Sequence, residues 1–535
     1  MRTALPIAGM ERLRHKNIFW RKMSPMRSAG WGVRKEKRKT MEKKEGKNLI
    51  RERIYYAVRL ELISPLCVSG GTDQNTDSDV MRNGRGECFI PGTSVAGAFR
   101  QYLDPERKKG GIFGYSKGEE GQMSEVIFSD VYFDEPAEVT RRDGVRLTED
   151  RRVETGKKFD WEIIEPGITA TLYISYVRRE NSSKGGEDKL IQAFLALDAG
   201  EIRFGAKKTS GFGRMKIQEI KKRAFINEKE ADPYGGKACR EGEKPTQPTE
   251  APYAPGLQKD RDHAEVRSLA DEWLEFMENP RDRKNYAHWE DWRAKEREES
   301  KECIVRIPLR LTGGISIRRY STRSGEADYE HLTSRRRANQ TDGSPVLSCA
   351  IVPGSSLRGA VRADARRILR ELHCEDAEDC IGYWFGYTDA RARSLITVEE
   401  CVFEEEPGSP MCDLPITRNR ISRFDASVLD GALYSEIAHF GGKICLEMRI
   451  QKKEGYRRIL KLLWLVAQDI QMGYLPIGGE TAIGRGIFEA AGKPEGFDEI
   501  EGERRQAADE DFREWLSKRK NETEGKGGDL DGDTN

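Results

Sequence analysis

Apolar and polar residues alternate along four stretches of this chain. YYAVRLELIS (residues 55–64), ATLYISYV (170–177), CIVRIPLRLT (303–312) and KICLEMRIQ (443–451) place an apolar side chain at nearly every second position. Successive strand side chains point to opposite faces, so this pattern predicts half-buried strands. YRRILKLLWLVAQDIQ (456–471) repeats its apolar residues at helical spacing and predicts an amphipathic helix. Val266, Leu269, Ala270, Trp273 and Met277 recur at i, i+3, i+4, i+7 and i+11 and predict another helix with one apolar face. It reads as a linker helix docked on a domain, or as a partner-binding helix.

The pattern occurs twice. CFIPGTSVAGAFRQYL (88–103) matches AIVPGSSLRGAVRADA (350–365), GIFGY (111–115) matches YWFGY (383–387), and FGAKKTSGFGRMKI (204–217) matches IGGETAIGRGIFEA (477–490). The Pro-Gly pairs lie 262 positions apart, and Arg214 and Arg485 lie 271 apart. Landmarks in one order at nearly one spacing indicate a duplicated domain. The predicted division is a basic, disordered extension over 1–50, a first domain over 51–222, and a polar linker with the amphipathic helix over 223–300. A second domain covers 301–495, and a C-terminal helix with a disordered tail covers 496–535. Strand, helix, strands, helix, strand in each copy predicts an α+β class built of two tandem ferredoxin-like units, the fold of RNA-recognition modules.

Composition narrows the function. Charged residues make up 34% and the net charge is +1, so the chain is soluble and charge-rich but no generic polycation. No apolar run approaches 18 residues, which predicts no membrane span. The basic start has no apolar core behind it, which argues against a secretory signal. Ten scattered cysteines suit a reducing cytoplasm. The extension reads as a disordered tail, as sequence ahead of a start at Met41, or as a basic arm touching nucleic acid.

Each Pro-Gly pair leads into a helix, with Thr93 or Ser94 and Ser355 or Ser356 at the expected N-cap. First-turn N–H groups there can accept a phosphate, with Arg100, Arg358 and Arg362 about one turn on. The glycine-rich turns bring Gly211, Gly213 and Gly484 for close backbone approach, and Lys207, Lys208, Arg214 and Arg485 as cations. VTRRDGVRLTEDRRVETGKKFDWEIIEPG carries Arg141, Arg142, Arg146, Arg151, Arg152, Lys157 and Lys158 and predicts a protruding hairpin. Its counterpart is RNRISRFDASVLDGALYSEIAHFGG (418–442), with Arg418, Arg420 and Arg423. Phe159, Trp161, Phe424 and Tyr434 lie among these cations. Cations with apolar wedges suit a single-stranded nucleic acid, phosphates on one and base faces on the other.

Six histidines without metal-ligand spacing leave little for a histidine acid–base pair, and no P-loop or Gly-x-Ser-x-Gly elbow occurs. An acidic loop precedes each Pro-Gly helix, with Asp73, Asp77 and Asp79 in the first copy and Asp328, Glu330 and Asp342 in the second. Either loop reads as solvated acid or as a carboxylate that holds a hard divalent cation together with phosphate oxygens and water. Cys374 and Cys380 with His373 read as thiols or as part of a zinc site, since the spacing is not a strong zinc pattern.

IPGTSVAGAFR, VPGSSLRGAVR, the IFG and WFG signatures, the Arg-rich hairpin and the Gly-Arg closings together resemble the RAMP superfamily. The resemblance is closest to the repeated backbone subunit of type III CRISPR effector complexes, and two such domains in one chain resemble the double-repeat subunits of III-D-like systems. The resemblance implies tandem ferredoxin-like domains, each with an inserted thumb-like hairpin, stacked along a CRISPR guide RNA. It implies complementary target RNA as substrate and, as partners, a large polymerase-like subunit with other backbone and small subunits. It implies a catalytic, metal-binding aspartate in each acidic loop: Asp77 from DSDVMR, with Asp79 as rival, and Asp328 from ADYEHL. The cofactor implied is Mg²⁺ or Mn²⁺, bound transiently with RNA. The products implied are a 2′,3′-cyclic phosphate and a 5′-hydroxyl at two cuts. The sequence departs from the pattern at Ala96, where the second copy has Arg358, and the cysteine-rich zinc insertion is absent from the first copy and partial in the second. A scaffold without catalysis and a guide-precursor processing endoribonuclease are the alternatives.

Overall fold

A computed structural model of the chain describes residues 50–71, 76–106, 111–117, 120–148, 153–182, 184–226, 290–291, 299–320, 327–337, 346–387 and 393–524. The basic extension, the apolar stripe from Val266 to Met277, Asp73, Asp342, Arg151, Arg152 and the tail from 525 lie outside these described residues. No helix is long and apolar enough to cross a membrane among the described residues.

The alternating stretches are strands. The first repeat runs β1 (Ile50–Leu62), α1 (Gly92–Leu103), β2 (Val126–Phe128), β3 (Val131–Phe133), β4 (Val139–Leu147), β5 (Val153–Ile164), β6 (Thr169–Arg179), α2 (Gly186–Asp198) and β7 (Met215–Ile226). Strand β1 pairs antiparallel with β7 on one side and β6 on the other, and β2 and β3 pair with β6. The last strand lies beside the first and the second at the far side, which is the ferredoxin-like order. Helix α1 buries Val95, Ala98 and Phe99, one face at i, i+3 and i+4. They pack with Phe194, Phe204 and Leu60 in a core of this repeat alone. Strands β4 and β5 pair with each other as a hairpin inserted between β3 and β6, and Ile164 at the end of β5 bridges to Leu66.

The second repeat runs β8 (Glu302–Leu311), β9 (Tyr329–His331), α3 (Gly354–Glu371), α4 (Ala377–Phe385), β10 (Ile396–Val398), β11 (Cys401–Val402), β12 (Cys412–Arg418), β13 (Tyr434–Phe440), β14 (Lys443–Gln451), α5 (Tyr456–Gln471), β15 (Phe488–Ala490) and α6 (Arg505–Glu524). Its sheet order is β15-β8-β14-β10, the same topology. Helix α5 buries Leu460, Leu463 and Ala467 in the second core, with Phe385 and Phe488. The inserted hairpin is β12–β13, and it starts at Cys412, six residues before the predicted Arg418.

The two cores meet at a polar joint. The turn Lys208–Ser210 of the first repeat seats against α3 and β10 of the second. A Cβ on Gly354 would strike Ser210 O, and one on Gly211 would lie 2.9 Å from Glu400 N and 3.1 Å from Val398 O. Glycine is therefore required on both sides of this contact. Arg203 donates to Glu399 at 3.0 Å, and Arg449 donates to the same carboxylate and to Ala199 O. Glu400 is 1% exposed and paired with Arg142 of the first repeat and Arg336 of the second. Burial pushes the Glu400 carboxyl up, but the two guanidiniums outweigh it and hold it below the ordinary range.

Candidate nucleic-acid interface

Asp77 and Asp328 occupy matching positions. Asp77 is exposed at the base of the first hairpin; its N–H donates to Asp160 Oδ1 at 3.0 Å, and the Asp160 N–H donates to Asp77 Oδ2 at 3.1 Å. Asp328 is likewise exposed, and Ser435 N–H donates to its Oδ2 at 2.7 Å. The Asp328 N–H donates back to Ser435 O at 3.1 Å. Asp160 and Ser435 are corresponding residues on the returning strands β5 and β13. In each repeat one aspartate is thus fixed to the root of the hairpin. Asp79, the rival, is half-buried and accepts from Thr76.

The hairpin arginines divide. Arg146 stays on the exposed tip side, paired with Glu154 at 3.2 Å. Arg141 pairs with Asp160 beside the acid. Arg420 and Arg423 are exposed on the long tip of the second hairpin. Arg142 departs from expectation: it is 4% exposed and turned into the joint, paired with Glu400, so it is closed to RNA. Arg418 also departs, held by Glu436 at 3.1 Å and Glu480 at 2.7 Å.

The glycine turns give a sharper correspondence than the sequence does. Lys207 at φ 54°, ψ 27° and Glu480 at φ 59°, ψ 26° each precede a short 3₁₀ turn, Lys208–Ser210 and Thr481–Ile483. Gly213 and Gly486 each back onto a carbonyl, of Phe204 and of Ile477. The structural offset is therefore 273, from Lys207 to Glu480, and not the 271 that equates Arg214 with Arg485. Arg485 stands at the position of Phe212, and Arg214 at that of Ile487. Neither arginine lines an open groove. Arg214 is half-buried at the joint, 3.8 Å from Glu447, and Arg485 is buried against Glu436 and Phe440.

The Pro-Gly helices begin two or three residues earlier than predicted. Pro91 and Pro353 are the N-caps, so Thr93, Ser94, Ser355 and Ser356 lie within the first turn and cap nothing. Proline has no N–H to cap, and its extended backbone directs the chain into the helix. Arg100 is tied down too, donating to Gly114 O at 3.2 Å. The cations that crowd together belong to both repeats. Lys208 is pushed down to about 8 by burial, with Arg393 and Arg203 adding to the shift. Arg358 is pushed down to about 10 by burial and by Arg362. Arg362 is lowered by burial and Arg366, with Glu378 opposing and Arg146 of the first hairpin adding to the shift. No ion pair neutralises Lys208, Arg358, Arg362 or Arg393 among the described residues. Like charges held together at the head of α3 favour an incoming anion.

The described residues supply one free carboxylate oxygen at Asp77 and one at Asp328, and no third ligand joins either of them among the described residues. One oxygen alone is too little for a hard divalent cation, so the shell would be completed by the substrate and water. Cys374, Asp376 and Cys380 do form a cluster, with ligand atoms within 4.8 Å of one another. Two thiols and a carboxylate suit zinc, and His373 is not part of the group.

Sequence reasoning missed Arg203, Glu399, Glu400, Glu436, Glu480, Asp160 and Ser435. Glu399 and Glu400 could have been found by setting VIFSDVYF (126–133) against ITVEECVF (396–403), where Ser129-Asp130 becomes Glu399-Glu400. Two ferredoxin-like repeats, each with a basic hairpin and an acid at its root, define a duplicated RNA-handling protein. The chain matches the RAMP superfamily over residues 59–216 and 308–489, more than half its length, and belongs to that family. No curated protein matches it.

Proposed function

We propose that the chain is a guide-RNA-binding backbone subunit of a type III CRISPR effector complex, and that it cleaves complementary target RNA at two sites. The observation that carries this reading is the matched pair of exposed aspartates, each hydrogen-bonded to the root of an inserted hairpin. Guide phosphates lie along the head of α3, where Lys208, Arg358, Arg362 and Arg393 lack acid partners and first-turn N–H groups add their dipoles. Base pairing with the guide selects the target, and other effector subunits join the assembly. Each hairpin acts as a thumb that splays one target nucleotide, with Arg146 or Arg420 and Arg423 on the backbone and Phe424 exposed for a base face.

The splayed nucleotide presents its 2′-hydroxyl in line with the neighbouring phosphate. Its attack forms the new O–P bond of a 2′,3′-cyclic phosphate and expels a 5′-hydroxyl. Asp77 and Asp328 are held by backbone N–H groups with one oxygen free, so each meets the reacting phosphate without reorganising. Asp77 and Asp328 would hold Mg²⁺ or Mn²⁺ together with the substrate, and the ion would supply neutralisation of the charge that develops on the phosphate. The test is a cleavage assay with guide RNA, end-labelled target and Mg²⁺. Asp77→Ala removes one cut and Asp328→Ala the other, with guide binding unchanged; two cuts persisting in either variant refute the assignment. The non-catalytic scaffold has one observation in its favour, since both aspartates already serve as backbone acceptors. A double variant with unchanged cutting would favour it.

A further inference from the structure

Lys207 and Glu480 occupy the same backbone position with opposite charge. Both hold a left-handed conformation at the start of the glycine turn; Lys207 turns its side chain to the returning strand of its hairpin, and Glu480 turns its own to Arg418 on the outgoing strand of the other. In the first repeat, Lys207 Nζ lies 3.7 Å from the Trp161 ring centroid and 5.0 Å from that of Phe159. Trp161 follows Asp160, the residue bonded to Asp77. In the second repeat the residue after Ser435 is Glu436, and Glu480 joins it in a knot with Arg418, Arg485, Arg318 and the Tyr329 hydroxyl.

Counted over these groups, the two sites carry similar net charge. They differ in which charge is free. Each of the three arginines of the second knot has a carboxylate partner. Lys207 has no acidic partner among the described residues, and its ammonium rests on two aromatic faces. Burial lowers its pKa, offset in part by the Cys67 thiol. A half-buried ammonium held by ring quadrupoles keeps its whole charge and its N–H donors for a ligand, whereas a guanidinium in an ion pair keeps spare donors but has its charge already offset by the carboxylate.

We infer that Lys207 grips the target-strand phosphate beside Asp77, whereas the nearest cation of the second site, Arg318 stacked 4.4 Å over Tyr329, is already paired with Glu480, so the two acid sites are unequal. This rests on the reading of Asp77 and Asp328 as the cleaving residues. The first site then brings a fixed, unpaired cation of its own and needs less divalent metal; the second has only an arginine shared with Glu480 and needs more.

The test uses the full chain loaded with guide RNA and a target labelled so that the two cuts give separate products. Asp77→Ala and Asp328→Ala first assign each cut to its site. In the unmodified protein the Asp77 cut reaches half its maximal rate at the lower Mg²⁺ concentration. Lys207→Gln slows that cut by about tenfold at limiting Mg²⁺ and leaves the Asp328 cut unchanged. Lys207→Arg restores it. A second readout does not depend on cutting: with a target carrying 2′-deoxy linkages, Lys207→Gln lowers the salt slope of target binding by about one. Equal Mg²⁺ requirements with both cut rates within about twofold after Lys207→Gln would overturn the inference while leaving the aspartates in place. An unchanged salt slope would overturn it even if neither aspartate proved to cut.

Discussion

His331 makes two backbone contacts that leave its ring no place for a second proton. With the proton on Nε2 it donates to Ile351 O at 3.0 Å, while Nδ1 accepts from Ile317 N–H at 3.3 Å. It sits at the end of β9, the strand that begins beside Asp328. Burial pushes it from its ordinary value near 6.5 down to about 4, with His439 adding to the shift. The other titratable group facing it is Asp413, through its bond to His439 at 2.8 Å. A base whose folded pKa is depressed contributes nothing adverse above its unfolded value and destabilises as pH falls toward the folded one. Stability should therefore fall between pH 6.5 and pH 4, by about 3 kcal/mol from this group, and His331→Gln should lack that part of the profile in urea titrations. At this scale the sequence was legible where a residue's role depends on its own copy. Asp77, Asp328, Arg146, Arg420 and Arg423, singled out from their own copy's pattern, are all exposed in the structure. Arg142 was not legible, because alternation along β4 tells which face it takes but not that Glu400, 258 residues on, lies there.

At the scale of elements, the glycine turns explain both a success and an error. Their presence in both copies was legible because Gly-Arg punctuates each. Their register was not, since GFGRM and GRGIF carry that dipeptide on opposite sides of the structurally matched glycine. Gly213 is that glycine, with φ 74° and a position where a Cβ would collide with Phe204 O. Gly484 has φ 85° but open space around it. Gly484→Ala should lower stability by about 1–3 kcal/mol through backbone strain alone. Gly213→Ala should lose about 1–3 kcal/mol more, from the clash, which thermal melts of the two variants would resolve. If both lose the same, the turns do not differ in packing as described. The hairpins show the same division: paired strands with turn chemistry were readable, while the start of the second at Cys412 was hidden by an exposed, weakly alternating strand.

For the whole molecule, the joint between repeats is where the sequence said least, because duplication alone does not tell how two copies meet. Its chemistry is ionic and buried. Removing one member of such a pair strands the other charge, so Arg142→Ala should destabilise the chain by about 3–5 kcal/mol in a denaturant titration. Guide affinity per folded molecule should be unchanged; a selective loss of RNA binding in a fully stable variant would return Arg142 to the RNA side.

That joint joins unlike surfaces, a turn on one repeat and a helix head with its strand on the next, and each repeat owns one of each. One turn and one receiving helix head are therefore left over, the turn on the second repeat and the helix head on the first. The spare turn is Thr481–Ile483, with Ile483 59% exposed; the spare helix head starts at Gly92, whose nearest neighbours are all its own repeat's strand, beside Ile127 at 60% exposed. Neither repeats the inner chemistry, since Pro476 and Ile416 stand where Arg203 and Arg142 do, and Ser129 and Asp130 where Glu399 and Glu400 do. Within the molecule the repeats are coupled by buried charge pairs, which added salt screens far less than exposed ones, so the joint should hold as ionic strength rises.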